Sequence, residues 1–193
     1  MAYPEIAGLS SSETLASVNR LVDQAVLATI PESCQTTRDA SSARKGEGCA
    51  DLPDPGKTDV SVEYSVGLVN EGILSVRLHR TACTNPSLHP DDTVEGLTVN
   101  LATGTVYQVA DLFRPGTPWQ ETLTQAVREK LSATTKVGTN VPISVHRFFL
   151  KEGALVVLRP VSARAFHSID VEVPLKRVQP MLRADFPGSS DGK

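Results

Sequence analysis

Long apolar runs are missing from this 193-residue chain; the longest is Ala154-Leu155-Val156-Val157-Leu158. A helical membrane span needs about 20 such residues, so none is expected. Aromatic residues are scarce, at 5%, and no basic stripe is interleaved with them. Positive charge is not in excess either: 19 Lys and Arg stand against 22 Asp and Glu, a formal −3. Together these exclude a broadly basic nucleic-acid binder. A secretory leader is also missing, because Met1-Ala2 runs directly into Tyr3-Pro4-Glu5-Ile6 with no basic start and no apolar stretch. The chain is therefore expected to be cytosolic, or to be a form whose leader has been removed.

The familiar catalytic and metal-binding spacings do not occur. There is no H-E-x-x-H, no C-x-x-C and no G-x-S-x-G. Asp51-Leu52-Pro53-Asp54-Pro55-Gly56-Lys57-Thr58 imitates the end of a phosphate-binding loop, but it starts with Asp and its two prolines lack N–H donors. His79 and Cys83 would lie more than ~10 Å apart on an extended strand, too far for a nucleophile and its base. His89 with Asp91 and Asp92 is too short a cluster, and too poor in oxygen ligands, to indicate a metal site. The expectation is a protein that is not an enzyme, with no cofactor and no metal.

What remains is ordinary globular material, 40% hydrophobic and 21% charged. The length fits one domain, expected over residues 1–188 with a tail at 189–193. Charge is unevenly divided: residues 1–96 hold 7 basic against 14 acidic groups, and residues 97–193 hold 12 against 8. Three cysteines allow three single pairings or three unrelated thiols. Cys34 and Cys49 bracket a polar stretch that burial would not order, so a Cys34–Cys49 disulfide is expected, with Cys83 free. A pair of that kind suits an oxidising compartment.

Periodicity places the elements. Tyr3 to Ile6 reads as a short edge strand. Ser10 and Glu13 form a capping box before a helical stripe of Leu15, Val18, Leu21, Val22, Ala25, Val26 and Thr29, bounded by Pro31. Residues 32–56 form a long polar loop. Val60, Val62, Tyr64, Val66 and Leu68 alternate with polar residues and Gly67, Asn70-Glu71-Gly72 turns the chain, and Leu74, Val76 and Leu78 point inward while Ser75, Arg77 and His79 point outward. Thr81 to Asp92 is irregular. A second hairpin runs through Leu97, Val99 and Leu101, turns at Ala102 to Thr105, and returns over Val106 to Val109. Thr117 caps a helix with Pro118 at its first position and Gln120 completing the box, and Trp119, Leu123, Val127 and Leu131 make its buried face. Gly138 and Pro142 mark a loop. His146–Leu150 and Ala154–Leu158 form a third hairpin, Ile169, Val171 and Val173 a last strand, and residues 174–182 a short helical tail broken by Pro180.

Tight turns between neighbouring strands give antiparallel pairing, and βαβ alternation is absent. The expected class is α+β, an antiparallel sheet of hairpins with two main helices packed on it and a short C-terminal helix. Val62, Tyr64, Val66, Leu74, Val76, Leu97, Val99, Trp119, Leu123, Val127, Phe149 and Val156 are expected in the core.

In this order the elements resemble a known family. Tyr3-Pro4-Glu5-Ile6-Ala7-Gly8-Leu9, with the helix containing Val18-Asn19, resembles the PdaC/SigV-type domain, and residues 3–90 correspond to that N-terminal half. Asn70-Glu71-Gly72-Ile73-Leu74-Ser75-Val76 resembles its hairpin. Leu97 to Thr105 followed by Asp111-Leu112-Phe113 resembles the RsiV-like domain, to which residues 95–183 correspond, with the Phe148-Phe149 strand and Val173-Pro174 in place. Two positions differ: Asn100 stands where the family has Asp, and Thr81 to His89 replaces a Gly-Gly-Ala-His segment. The family includes outer domains of lysozyme-sensing anti-sigma factors, a non-catalytic region of secreted peptidoglycan deacetylases and a mycobacterial secreted antigen. The resemblance implies an extracytoplasmic, secreted or surface-attached monomer with an α+β fold and a binding or sensor role. It equally allows an accessory module of a cell-wall-processing enzyme, or a secreted antigen without a dedicated ligand.

Recognition tends to sit on irregular segments held by a rigid sheet. The polar stretch from Cys83 to Glu95, next to outward-facing His79, is therefore the expected partner-binding site, made of His79, Asn85, His89, Asp91, Asp92 and Glu95. The lysozyme-sensing relatives imply a cationic, lysozyme-like protein as the partner, which these carboxylates would attract.

Overall fold

The computed structural model describes residue 7 and residues 12–29, 58–70, 72–84, 91–134, 143–159 and 169–186. The expected strand at Tyr3–Ile6, the capping residue Ser10, the loop at 32–56, the Gly138/Pro142 loop and the 189–193 tail lie outside these residues.

The class is α+β, as the periodicity implies, but the strands form two antiparallel three-stranded sheets rather than one. The first has the order β1 (Thr58–Val69), β2 (Ile73–Thr84), β3 (Asp91–Asn100). The second has the order β4 (Phe148–Lys151), β5 (Ala154–Arg159), β6 (Ile169–Pro174). The helices are α1 (Ser12–Thr29), α2 (Trp119–Thr134) and a short α3 (Leu175–Val178), followed by a 3-10 turn at Gln179–Met181.

α1 covers one face of the first sheet. Val18, Val22 and Val26, four apart on one helical stripe, pack on Leu74, Val76, Leu78, Leu97, Val99 and Leu101. Each valine is essentially solvent-free, which contributes about 1.5–3 kcal/mol apiece relative to exposure. α2 covers the outer face of the second sheet: Leu123, Val127 and Leu131 join Phe148, Leu150, Leu155, Val157, Val171 and Val173. Trp119, at the start of α2, is only partly buried and stacks on Phe113 with the rings 5.0 Å apart and parallel. The C-terminal segment closes this end through Arg114 N–H to Met181 O at 2.8 Å and Arg183 N–H to Leu112 O at 2.9 Å.

The two sheets meet face to face through β4, which touches all three strands of the first sheet. Small residues make the approach possible. A Cβ on Gly67 would lie 2.3 Å from Leu150 O, and one on Gly96 would lie 1.7 Å from Phe148 O. Ser75, expected to point outward, is fully buried here. Its Oγ accepts the Leu150 N–H at 2.8 Å and shares a 2.8 Å hydrogen bond with Thr98 Oγ1. Strand β2 is thus buried on both faces, where its alternation reads as one-sided.

Other expectations are corrected. The second hairpin forms only in part: β3 pairs along its length with β2, from Ile73↔Asn100 to Ala82↔Asp91, and after the turn Asn100 N–H reaches Thr105 O and Tyr107 N–H reaches Thr98 O, each at 2.8 Å. The returning segment is no full strand: it makes the single antiparallel bridge Val99↔Val106 and then enters a 3-10 turn at Val109–Leu112. Thr117 does not cap α2; its hydroxyl donates to Arg114 O at 2.7 Å. Tyr64 and Val66, expected in the core, are 49% and 53% exposed. They share the α1 face of the first sheet with Val76 and Leu78, their cross-strand partners, but α1 packs toward β3 and leaves this part of β1 uncovered.

Candidate functional site

Thr81 to Thr84 and Asp91-Asp92, expected to be irregular, are paired strand. The register sets Thr81 opposite Asp92 and Ala82 opposite Asp91. Polar side chains hold this end of the ladder together. Thr81 Oγ1 donates to Asp92 Oδ1 at 2.7 Å, and His79 Nε2 lies 3.3 Å from the same oxygen. Arg80 reaches across the other face, its Nη2 2.6 Å from Asp91 Oδ2 and 2.7 Å from Thr93 Oγ1. Arg80 is 7% exposed, and its Nε is buried without a hydrogen-bond partner. Further along β3, Glu95 Oε1 lies 3.2 Å from Arg147 Nη2.

The sequence-based site is therefore brought together in part. His79, Asp91, Asp92 and Glu95 lie along one end of the β2–β3 ladder, and Asn85 and His89 fall outside the described residues. Each of the three carboxylates already has a basic partner within the chain, so none is a free acidic group. Cys83, expected to be a free thiol, is disulfide-bonded; the bonding partner lies outside the described residues, as do Cys34 and Cys49. Among the described residues no three His, Cys, Asp or Glu side chains converge as metal ligands, and no helix is long and apolar enough to cross a membrane.

A second surface was missed by sequence reasoning. β1 pairs with β2 on one side and with no other strand among the described residues. Along it, Tyr64, Val66 and Val69 are the exposed large hydrophobic residues among the described residues, 49%, 53% and 64% exposed. The only ionisable groups of β1 are Asp59, Glu63 and Tyr64; it carries no Lys, Arg or Pro. Asp59 and Glu63 alternate with Val60, Val62, Tyr64 and Val66, so the strand shows carboxylates on one face and apolar groups on the other. Neither carboxylate has an ion-pair partner among the described residues. The alternation was visible in the sequence; which strand would be left uncovered depended on where α1 lands.

Further ion pairs lie elsewhere among the described residues. Arg77 Nε meets Asp170 Oδ2 at 2.9 Å across the two sheets, and Lys151 pairs with Glu172. The hydrogen bond from Arg177 holds the Glu129 carboxyl below its ordinary value, and that from Arg183 does the same for Asp185. All four groups of these last two pairs are at the surface.

No family model matches the chain, and no curated protein matches it. Among solved structures it is similar to a DUF3298 family protein from Pseudomonas aeruginosa, with a TM-score of 0.65 and 16% identity over 94% of this chain and 84% of that one. It is also similar to a DUF3298 family member from Bacteroides fragilis, with a TM-score of 0.54 and 19% identity over 66% of this chain and 55% of that one. At these identities the likeness is one of fold.

Proposed function

We propose that this chain is a non-enzymatic binding or sensor domain of an extracytoplasmic protein, related to the RsiV-like family, with a cationic protein of the lysozyme type as its partner. The observation that carries the reading is the exposed apolar row Tyr64, Val66 and Val69 on a strand held by the rigid two-sheet framework. Contiguous apolar surface on a folded protein marks interaction sites. The disulfide at Cys83 supports an oxidising compartment. The ordered motifs from Asn70 to Val76, from Leu97 to Thr105 and at Asp111-Leu112-Phe113 support the family relationship, and the fold neighbours are compatible with it.

Titration calorimetry with a cationic lysozyme, at low and at physiological salt, tests the reading. Saturable binding that weakens with salt is expected, because free surface carboxylates act at long range. No heat of binding at either salt removes the lysozyme-type partner.

A further inference from the structure

We propose that β1, which has a strand on one side only among the described residues, is a docking edge that accepts an extended, alternately basic and apolar segment of a partner as a fourth strand of the first sheet. This rests on the binding role proposed above and names the place and the chemistry of recognition.

The edge is of a kind that folded proteins ordinarily block. Long exposed strands are blunted by Lys, by Pro, by short length or by bulges, because their free N–H and C=O groups template pairing with another chain. β1 has twelve residues and neither Lys nor Pro. Its one irregularity is a register shift between Val66 and Leu68, where Gly67 lies against Leu150 and Phe149. From Thr58 to Val66 the strand is regular, nine residues or about 30 Å at the usual rise. By contrast β3, the opposite edge, is met at one end by Val106, and Arg147 reaches Glu95 on it.

Charge decides between occupants. A second copy of β1 added antiparallel would bring two more carboxylates onto the face that already holds Asp59 and Glu63, with no cation on either strand to offset them. Like charges across a ladder are destabilising, and opposite charges stabilise it. The complementary occupant therefore carries Lys or Arg on the Asp59/Glu63 face and β-branched or aromatic residues on the Tyr64/Val66 face. Main-chain hydrogen bonds would supply affinity and the alternating side chains would supply specificity, which is recognition by strand addition. The carboxylates at Asp91, Asp92 and Glu95 are poorer candidates, because each already has a basic neighbour.

The experiment uses the full chain with its disulfide intact. The probe is a synthetic peptide of about eight residues alternating Lys with Val or Tyr, compared with a peptide of the same composition whose lysines are grouped together. Amide hydrogen exchange read by mass spectrometry should show new protection over residues 58–69 with the alternating peptide only. Glu63→Lys should weaken that binding about tenfold, and Val66→Lys should weaken it as well. Both positions are exposed, so unchanged thermal unfolding will show that the fold is intact. Glu129→Gln, on α2, should leave affinity unchanged. Absence of peptide binding, protection away from β1, or equal affinity for the Glu63→Lys variant overturns the inference. If lysozyme binds while β1 exchange is unaltered, the edge is refuted and the binding role stands. If neither probe binds, the edge and the lysozyme-type partner are both refuted.

Discussion

Gly96 and Phe148 touch through their backbones: a Cβ on Gly96 would lie 1.7 Å from the Phe148 carbonyl oxygen and 2.5 Å from its carbonyl carbon. The first sheet can lie on β4 only because this position has no side chain. Neither neighbour is the flexible end of a side chain, so the clash cannot be relieved by a rotamer change. Gly96→Ala is expected to destabilise the protein by at least about 3 kcal/mol, beyond the usual range for one added methyl in a core. Urea unfolding monitored by Trp119 fluorescence will measure it. A loss below about 1 kcal/mol would mean that the sheets separate easily at this point.

The same contact explains what the sequence could and could not disclose. The apolar stripes of α1 and α2 were legible because Val18, Val22 and Val26, and Leu123, Val127 and Leu131, face a single neighbour each. The first sheet is covered on both faces over β2, and a buried Ser75 beside Thr98 reads as an outward polar pair in a one-faced alternation. Conversely Tyr64 and Val66 read as core, because alternation reports a face and not whether a helix reaches that far along it. The separation into two sheets depends on the close approach at Gly67 and Gly96, which no local pattern encodes. For the candidate site, the carboxylates at 91, 92 and 95 were visible, but their partners Arg80 and His79 follow from register, and Arg147 from the packing of the second sheet on the first.

Cys83 will be found in a bridged peptide when the non-reduced protein is digested and read by mass spectrometry. The chain has only two other cysteines, Cys34 and Cys49, so the bridged peptide should contain one of them. Either pairing closes a loop of several tens of residues, worth about 4 kcal/mol in the chain-entropy account. Reduction should accordingly lower the unfolding midpoint. A Cys34–Cys49 peptide with Cys83 alkylated would contradict the structure.

Two surface pairs set a weak acid dependence. Arg177 lowers the Glu129 carboxyl and Arg183 lowers Asp185, each first by a hydrogen bond. A carboxyl whose folded value is depressed stabilises the fold fully above its unfolded value, and that contribution is lost as pH falls through the folded value. The loss therefore begins as pH falls into the ordinary carboxyl range of about 4–5 and is complete below the lowered folded values, and stability should be flat from about pH 6 to neutrality as far as these groups are concerned. Both pairs are exposed, so salt should reduce the effect. Carboxyl chemical shifts followed by NMR will test it: Arg177→Gln should raise the Glu129 midpoint and leave that of Asp185 in place.

Arg80 and Asp91 should respond unequally to mutation. The Arg80 side chain is 9% exposed and that of Asp91 is 74% exposed, so only the cation has lost most of its hydration. Asp91→Ser leaves that guanidinium with Thr93 alone, and its Nε is already without a partner. A buried charge deprived of its counter-ion is costly, whereas replacing the charge itself by an apolar group of similar length is often neutral or better. Asp91→Ser is expected to destabilise by about 1–3 kcal/mol, less than for a fully buried pair, because water still reaches the carboxylate side. Arg80→Met should cost less than Asp91→Ser, and adding Asp91→Ser to Arg80→Met should cost little more. Denaturant unfolding of the two single variants and the double variant closes the cycle. Equal and additive losses would show that Arg80 is stabilised by its apolar neighbours and not by the carboxylate. The ordering also bears on binding experiments, since neutralising Asp91 acts first on stability, and its effect on a cationic partner is interpretable only at temperatures where the variant is folded.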